Sequence, residues 1–103
     1  MSILKGVLEE EYQRLQYIKR QYSDLLSSLP KGSLSQKKRG NKVYIYRAFR
    51  IKDKVKFVYI GKADSEAAVE AYRQFKKRQQ IQKQLKEVNN QIIALQRSLR
   101  IIK

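Results

Sequence analysis

The chain of 103 residues has no cysteine, no histidine, one proline and four glycines, and its nine acidic side chains face 24 Lys and Arg. Without cysteine there is no disulfide framework and no thiolate chemistry. Without histidine, the commonest general base and the commonest metal ligand are both missing. No acid, lysine or serine constellation proposes a reactive centre in their place. The expectation is a non-enzymatic protein with no cofactor and no metal. Glu9, Glu10 and Glu11 are consecutive, so on a helix they point about 100° apart and form no ligand shell. No run approaches the ~20 apolar residues of a membrane span, and the first residues lack an apolar h-region and turn acidic by Glu9. A signal peptide is therefore not expected, and a cytoplasmic protein is.

What is present is cationic charge in one place. Lys31, Lys37, Lys38, Arg39, Lys42, Arg47, Arg50, Lys52, Lys54, Lys56 and Lys62 stand against one acid, Asp53, so this stretch holds +10 of a formal net charge of +15. Tyr44, Tyr46, Phe49, Phe57 and Tyr59 run through the same stretch, giving it cations for phosphates and rings that pack or stack. Its hydrophobic period is 2. Val43, Ile45, Arg47, Phe49 and Ile51 alternate with Tyr44, Tyr46, Ala48 and Arg50, which predicts the middle strand of a meander. Turn residues at 39–42 and 52–54 place flanking strands at 34–38 and 55–60, with Gly61 breaking the third.

On either side the period lengthens. Leu4, Leu8, Glu11, Leu15, Ile18, Tyr22, Leu25 and Leu29 alternate four and three apart, predicting a helix over 3–29 that Pro30 and Gly32 end. A second helix is predicted over 64–102, capped by Asp64 or Ser65. Ala68, Val69, Tyr72 and Phe75 suit packing on the sheet, whereas Ile81, Leu85, Val88, Ile92, Leu95, Leu99 and Ile102 form a heptad seam. The predicted fold is α+β, a single domain over 1–103, with two long coiled-coil-type helices flanking a three-stranded antiparallel β-meander. Helix 1 folds back along helix 2 into a stalk. Two seams in so small a chain cannot bury all their Leu and Ile, so a homodimer is expected through Leu15, Ile18, Leu25, Leu85, Val88, Ile92, Leu95 and Leu99.

The candidate nucleic-acid-binding residues are Lys37, Lys38, Arg39, Lys42, Tyr44, Tyr46, Arg50, Lys52, Lys54, Lys56 and Lys62. Lysines on sheet edges also prevent edge-to-edge aggregation, which accounts for two or three of them but not for eleven cations against one acid. Arg73, Lys76, Lys77 and Arg78 form a second basic patch, either an extension of this surface or a solvated helix face. Register decides where the rings point. A two-residue Asp53-Lys54 loop places Phe57 and Tyr59 with Tyr44 and Tyr46; a three-residue loop places them with Val43, Ile45 and Phe49. The three-residue loop is preferred because it gathers the apolar side chains for helix 2 and leaves Tyr44, Tyr46, Arg50 and Lys56 outward.

From Lys31 to Arg78 the order runs Gly-Ser-Leu, a basic turn, Tyr-Ile-Tyr-Arg, a Lys-Asp-Lys turn, Tyr-Ile-Gly, then a helix with Ala67, Ala68, Ala71 and Tyr72. This resembles the three-strands-plus-helix arm-binding module of phage and conjugative-element tyrosine recombinases, which inserts its sheet into the DNA major groove. The resemblance implies DNA contact by Tyr44, Tyr46, Arg50 and Lys52. The chain departs from that family in flanking the module with two long helices and in having no catalytic domain. Its whole pattern is also similar to small uncharacterised helix–hairpin–helix proteins of bacteria and mobile elements. The expectation is a dimeric nucleic-acid-binding protein, DNA ahead of RNA. The alternative is an interaction or inhibitor protein of a phage or mobile element that docks on a larger protein or nucleoprotein complex.

Overall fold

Pro30 and Gly32 interrupt the helical period, the β-branched and aromatic run follows, and helix resumes where Ser65 supplies a cap. The computed structural model describes residues 3–101 and has this order: α1 (Ile3–Ser28), β1 (Ser33–Arg39), β2 (Lys42–Ile51), β3 (Lys54–Lys62) and α2 (Glu66–Ile101). The fold is α+β, with an open antiparallel sheet ordered β1-β2-β3. Ile102, counted in the predicted seam, lies outside the described residues. Among those residues no helix is long and apolar enough to cross a membrane. The chain divides into a helical unit, α1 with α2 from Gln80 onward, and a sheet unit, Leu29–Gln79.

In the helical unit Leu15, Val88 and Ile92 are buried against one another, and Tyr12, Ile18, Tyr22 and Leu95 pack around them. Burying each of the three contributes about 1.5–3 kcal/mol relative to exposure. Tyr12 takes the place in the apolar stripe that the heptad count gave to Glu11, and its hydroxyl accepts a hydrogen bond from Gln96 Nε2 at 3.3 Å. Glu11 turns instead to the Arg14 guanidinium, whose hydrogen bond holds its carboxyl below the usual carboxylate range. Of the other seam residues, Ile81 is buried, Leu85 and Leu99 are half-buried and Leu25 is exposed.

In the sheet unit both hairpins close with two-residue turns, Gly40-Asn41 and Lys52-Asp53, because Arg39 pairs with Lys42 and Ile51 with Lys54. The preferred three-residue second loop is thereby overturned. Parity instead follows the two-residue alternative, with the turn one residue earlier than expected. Positive φ occurs at the first central position of each turn, 62° at Gly40 and 55° at Lys52, the φ signature of a II′ hairpin turn. Gly61 does not end β3. The strand continues to Lys62 through a register shift opposite Ile45 and Tyr46, a β-bulge that leaves Ile60 as the extra residue. A Cβ at Gly61 would sit 2.6 Å from Ser65 Oγ, so a larger residue there would displace that hydroxyl. Ser65 is the helix cap: its Oγ accepts from the Ala68 amide at 3.2 Å and donates to the Lys62 carbonyl at 2.6 Å.

Candidate nucleic-acid interface

Residues paired directly across a ladder share a face of the sheet. The register therefore sorts every side chain of the basic stretch. One face carries Leu34, Gln36, Lys38, Val43, Ile45, Arg47, Phe49, Ile51, Lys54, Lys56 and Val58. The first turns of α2 lie on it. Ile45 and Ala68 are fully buried, and Gln36 Nε2 donates to the Tyr72 hydroxyl at 2.7 Å. Arg47 is held on this side, its guanidinium 4.5 Å from the Phe49 ring centre and donating to the Lys31 carbonyl at 3.1 Å. A cleft of about 530 Å³ remains between Leu34, Arg47 and Ile60 of the sheet and Ala67, Ala71 and Phe75 of α2.

The other face is open. In register it presents Ser33, Ser35, Lys37 and Arg39 from β1, Lys42, Tyr44, Tyr46, Ala48 and Arg50 from β2, and Val55, Phe57, Tyr59 and Lys62 from β3. The rings touch: Tyr46 and Tyr59 have centres 5.4 Å apart at 60°, and Tyr44 and Tyr59 are 6.2 Å apart at 50°. Such tilted pairs contribute about 0.5–1.5 kcal/mol beyond area burial. Phe57 and Tyr59 nevertheless keep about half their surface exposed, 52% and 53%. Lys37 crosses the sheet to lie 4.9 Å from the Tyr46 centre and 5.3 Å from that of Phe57. Arg39, Tyr44, Tyr46 and Tyr59 line a shallow depression of about 330 Å³.

The cations of this face are not neutralised. Among the described residues no carboxylate lies within ion-pair distance of Lys37, Arg39, Lys42, Arg50 or Lys62, while Glu11 and Glu70 pair with Arg14 and Arg73 of their own helices. The structure thus brings together seven of the candidate residues: Lys37, Arg39, Lys42, Tyr44, Tyr46, Arg50 and Lys62. Lys38, Lys54 and Lys56 project on the opposite side, so Lys56 is not outward with Tyr44 as expected, and Lys52 caps the hairpin tip. The second patch does not extend the open face, because α2 lies across the sheet from it. In that patch Arg73 bonds Glu70 at 3.2 Å, and the Arg78 guanidinium donates to the Leu29 carbonyl at 3.4 Å. Lys76 and Lys77 are exposed on the helix.

Sequence reasoning sent Phe57 and Tyr59 to the core. The structure places them at the centre of the open face, and the alternation of β3 alone could not have found them, because it sends the aromatic set toward a core. Lys54, Lys56 and Val58 alternate with Val55, Phe57 and Tyr59, and the aromatic set faces away from α2.

These elements define a small α+β protein with one face of a basic sheet left uncovered in its own unit. The chain matches the family model described as "Domain of unknown function (DUF6788)" over residues 8–70, which is more than half its length, and it belongs to that family. The matched segment takes in most of α1, the whole sheet and the start of α2. Neither the curated proteins nor the solved structures contain a match.

Proposed function

We propose that this is a non-enzymatic nucleic-acid-binding protein, DNA ahead of RNA, that lays the open face of its sheet on the sugar–phosphate backbone. The carrying observation is that one face of the sheet groups half-exposed rings with cations that no carboxylate neutralises among the described residues. Val55, Phe57 and Tyr59 lie on that face beside Tyr44 and Tyr46, while the other side of β3, Lys54, Lys56 and Val58, is exposed without any ring. An exposed apolar patch rimmed by unpaired cations is what a polyanion with apolar rings requires. The position of Lys52 adds support, since a non-glycine residue held at positive φ on a hairpin tip costs about 1 kcal/mol.

Dimerisation is part of the proposal. Leu15, Val88 and Ile92 are already buried within one chain, so a second copy would use the exposed apolar residues of the helices, among them Leu4, Val7, Leu25 and Ile93. A dimer would double the cationic surface and raise avidity.

Salt titration tests the binding. With about four phosphates neutralised, affinity for a labelled oligonucleotide should fall about 100-fold between 50 and 200 mM salt. An affinity independent of salt over that range would remove the phosphate mechanism.

A further inference from the structure

We infer that the open face takes unpaired bases, so that the ligand of this site is a single-stranded segment of nucleic acid rather than a duplex. The inference rests on the proposed binding function and narrows it. A duplex offers a protein two things: phosphates, and base edges lined with hydrogen-bond donors and acceptors. Asn, Gln, Arg and Lys read those edges with paired hydrogen bonds, which a serine hydroxyl does not provide. The middle rows of the open face, Ser35-Tyr46-Tyr59 and Ser33-Ala48-Phe57, hold none of them, only rings and small side chains. Arg39, Lys42, Arg50 and Lys62 stand around that middle.

An aromatic centre with a cationic rim matches a strand whose bases have swung out, bases lying on rings and phosphates on the rim. Ser33 and Ala48 are too short to shield the row that ends in Phe57, which leaves that ring accessible across the sheet. The depression between Arg39 and the three tyrosines offers a second base position with a guanidinium beside it. Lys37 partly covers two of the rings without ligand. Its ammonium lies over Tyr46 and Phe57, a contact worth about 0.5–1 kcal/mol at an exposed site. A base exceeds that on the same ring and frees the ammonium for a phosphate.

The test compares four labelled probes on the full chain at one low salt concentration. Two are oligodeoxyuridylate and oligouridylate of about twelve nucleotides, within the usual range of site sizes; the third is an abasic oligomer with the same number of phosphates, and the fourth a hairpin duplex. The expected result is that at least one single strand binds about 10-fold or more tightly than the abasic oligomer and the duplex, and which of the two does so identifies DNA or RNA as the source. Phe57→Leu should lose about 5- to 100-fold on the single strand and nothing on the abasic oligomer, with Phe57→Tyr restoring affinity. The chain contains seven tyrosines and no tryptophan. Tyrosine emission should accordingly be quenched by the single strand and not by the abasic oligomer. Equal affinity for all four probes, or an unaltered Phe57→Leu, would overturn base stacking and leave phosphate binding intact. No binding of any probe would overturn both.

Discussion

On the α2 side of the sheet Ile45 reaches full burial, and Arg47 is engaged by the Phe49 ring and the Lys31 carbonyl; on the other side Phe57 and Tyr59 stay half exposed, and among the described residues neither the five cations there nor Lys38, Lys54 and Lys56 on the α2 side have a carboxylate partner. The two faces draw on the same residue types, since each has rings, β-branched side chains, Lys and Arg. What separates them lies at their centres: α2 buries Ile45, and Gln36 and Arg47 are held by hydrogen bonds, whereas Phe57 and Tyr59 keep half their surface. At its margin, Ile51, Lys54, Lys56 and Val58, the α2 side is as exposed as the other. On the open face the charges and much of the ring surface are left for something outside the sheet unit. Charge does not distinguish them; the burial of Ile45 and the exposure of the rings do.

The sharpest way to break this contrast is to alter the covered face. Ile45→Ala should destabilise by about 2–5 kcal/mol, read as a lower midpoint in urea, because the site is enclosed and leaves a cavity. Phe57→Leu on the open face should cost about 1 kcal/mol or less. Gly32→Ala belongs with the large effects. Its φ is +104° and a Cβ would meet the Ala48 carbonyl oxygen at 2.2 Å, so a loss above about 2 kcal/mol is expected. Gly40→Ala is the control: φ is +62° but nothing lies within 4 Å of the added carbon, which leaves only the left-handed penalty of about 1–2 kcal/mol.

Charge tests the same contrast through binding. Lys37→Gln with Arg50→Gln removes two cations from the open face, and Lys38→Gln with Lys56→Gln removes two from the other. Net charge changes equally. On a single strand the open-face pair should flatten the logarithmic dependence of affinity on salt by about 1.4, or about 0.7 for each phosphate that is no longer neutralised, and the other pair should leave that slope nearly unchanged. Equal slopes in the two variants would mean that the sheet acts only through its total charge.

Element order, helix ends and the central strand were legible because each has a local cause. Pro30 stops α1, period 2 runs through Val43 to Ile51, and Ser65 caps α2. The faces were not legible to the same degree. A shift of one residue in a turn inverts a strand, and the Lys52-Asp53 turn depends on a left-handed lysine that residue preferences disfavour. Apolar clustering then favoured a register that buries Phe57 and Tyr59, because burial is the usual fate of such rings. Six of the seven candidate residues on the open face were recoverable since β1 and β2 are joined by Gly40-Asn41, whose turn chemistry sets register directly; the seventh, Lys62, reaches that face only through the bulge in β3. Lys54 and Lys56 were misplaced with the strand that carries them. Of the α1 seam, Leu15, Ile18 and Tyr22 pack against α2, Leu4 and Leu25 stay exposed, and Glu11 gives way to Tyr12, which reaches the same stripe and also bonds Gln96.

The helix cap is a smaller test of what holds the covered face in place. Ser65→Ala removes the acceptor for the Ala68 amide and the donor to the Lys62 carbonyl, and should cost about 1 kcal/mol. Ser65→Asp keeps the acceptor at the positive end of α2 but adds an atom where Gly61 already approaches Ser65 Oγ closely. It should therefore recover only part of the loss.

The smallest stability effect carries the most direct information about why the open face exists. Lys52→Gly relieves a left-handed cost of about 1–2 kcal/mol and gives back up to about 1 kcal/mol through the greater freedom of glycine when unfolded. The net expectation is a stabilisation of a few tenths to about 1 kcal/mol in urea. If the lysine is held at φ 55° for its charge, the same variant should bind a single strand more weakly and with a salt slope lower by about 0.7. Stability and affinity then move in opposite directions, as expected where strain is retained for a function. A variant that is stabilised and binds as before would make Lys52 a residue tolerated at the tip, with no part in the interface.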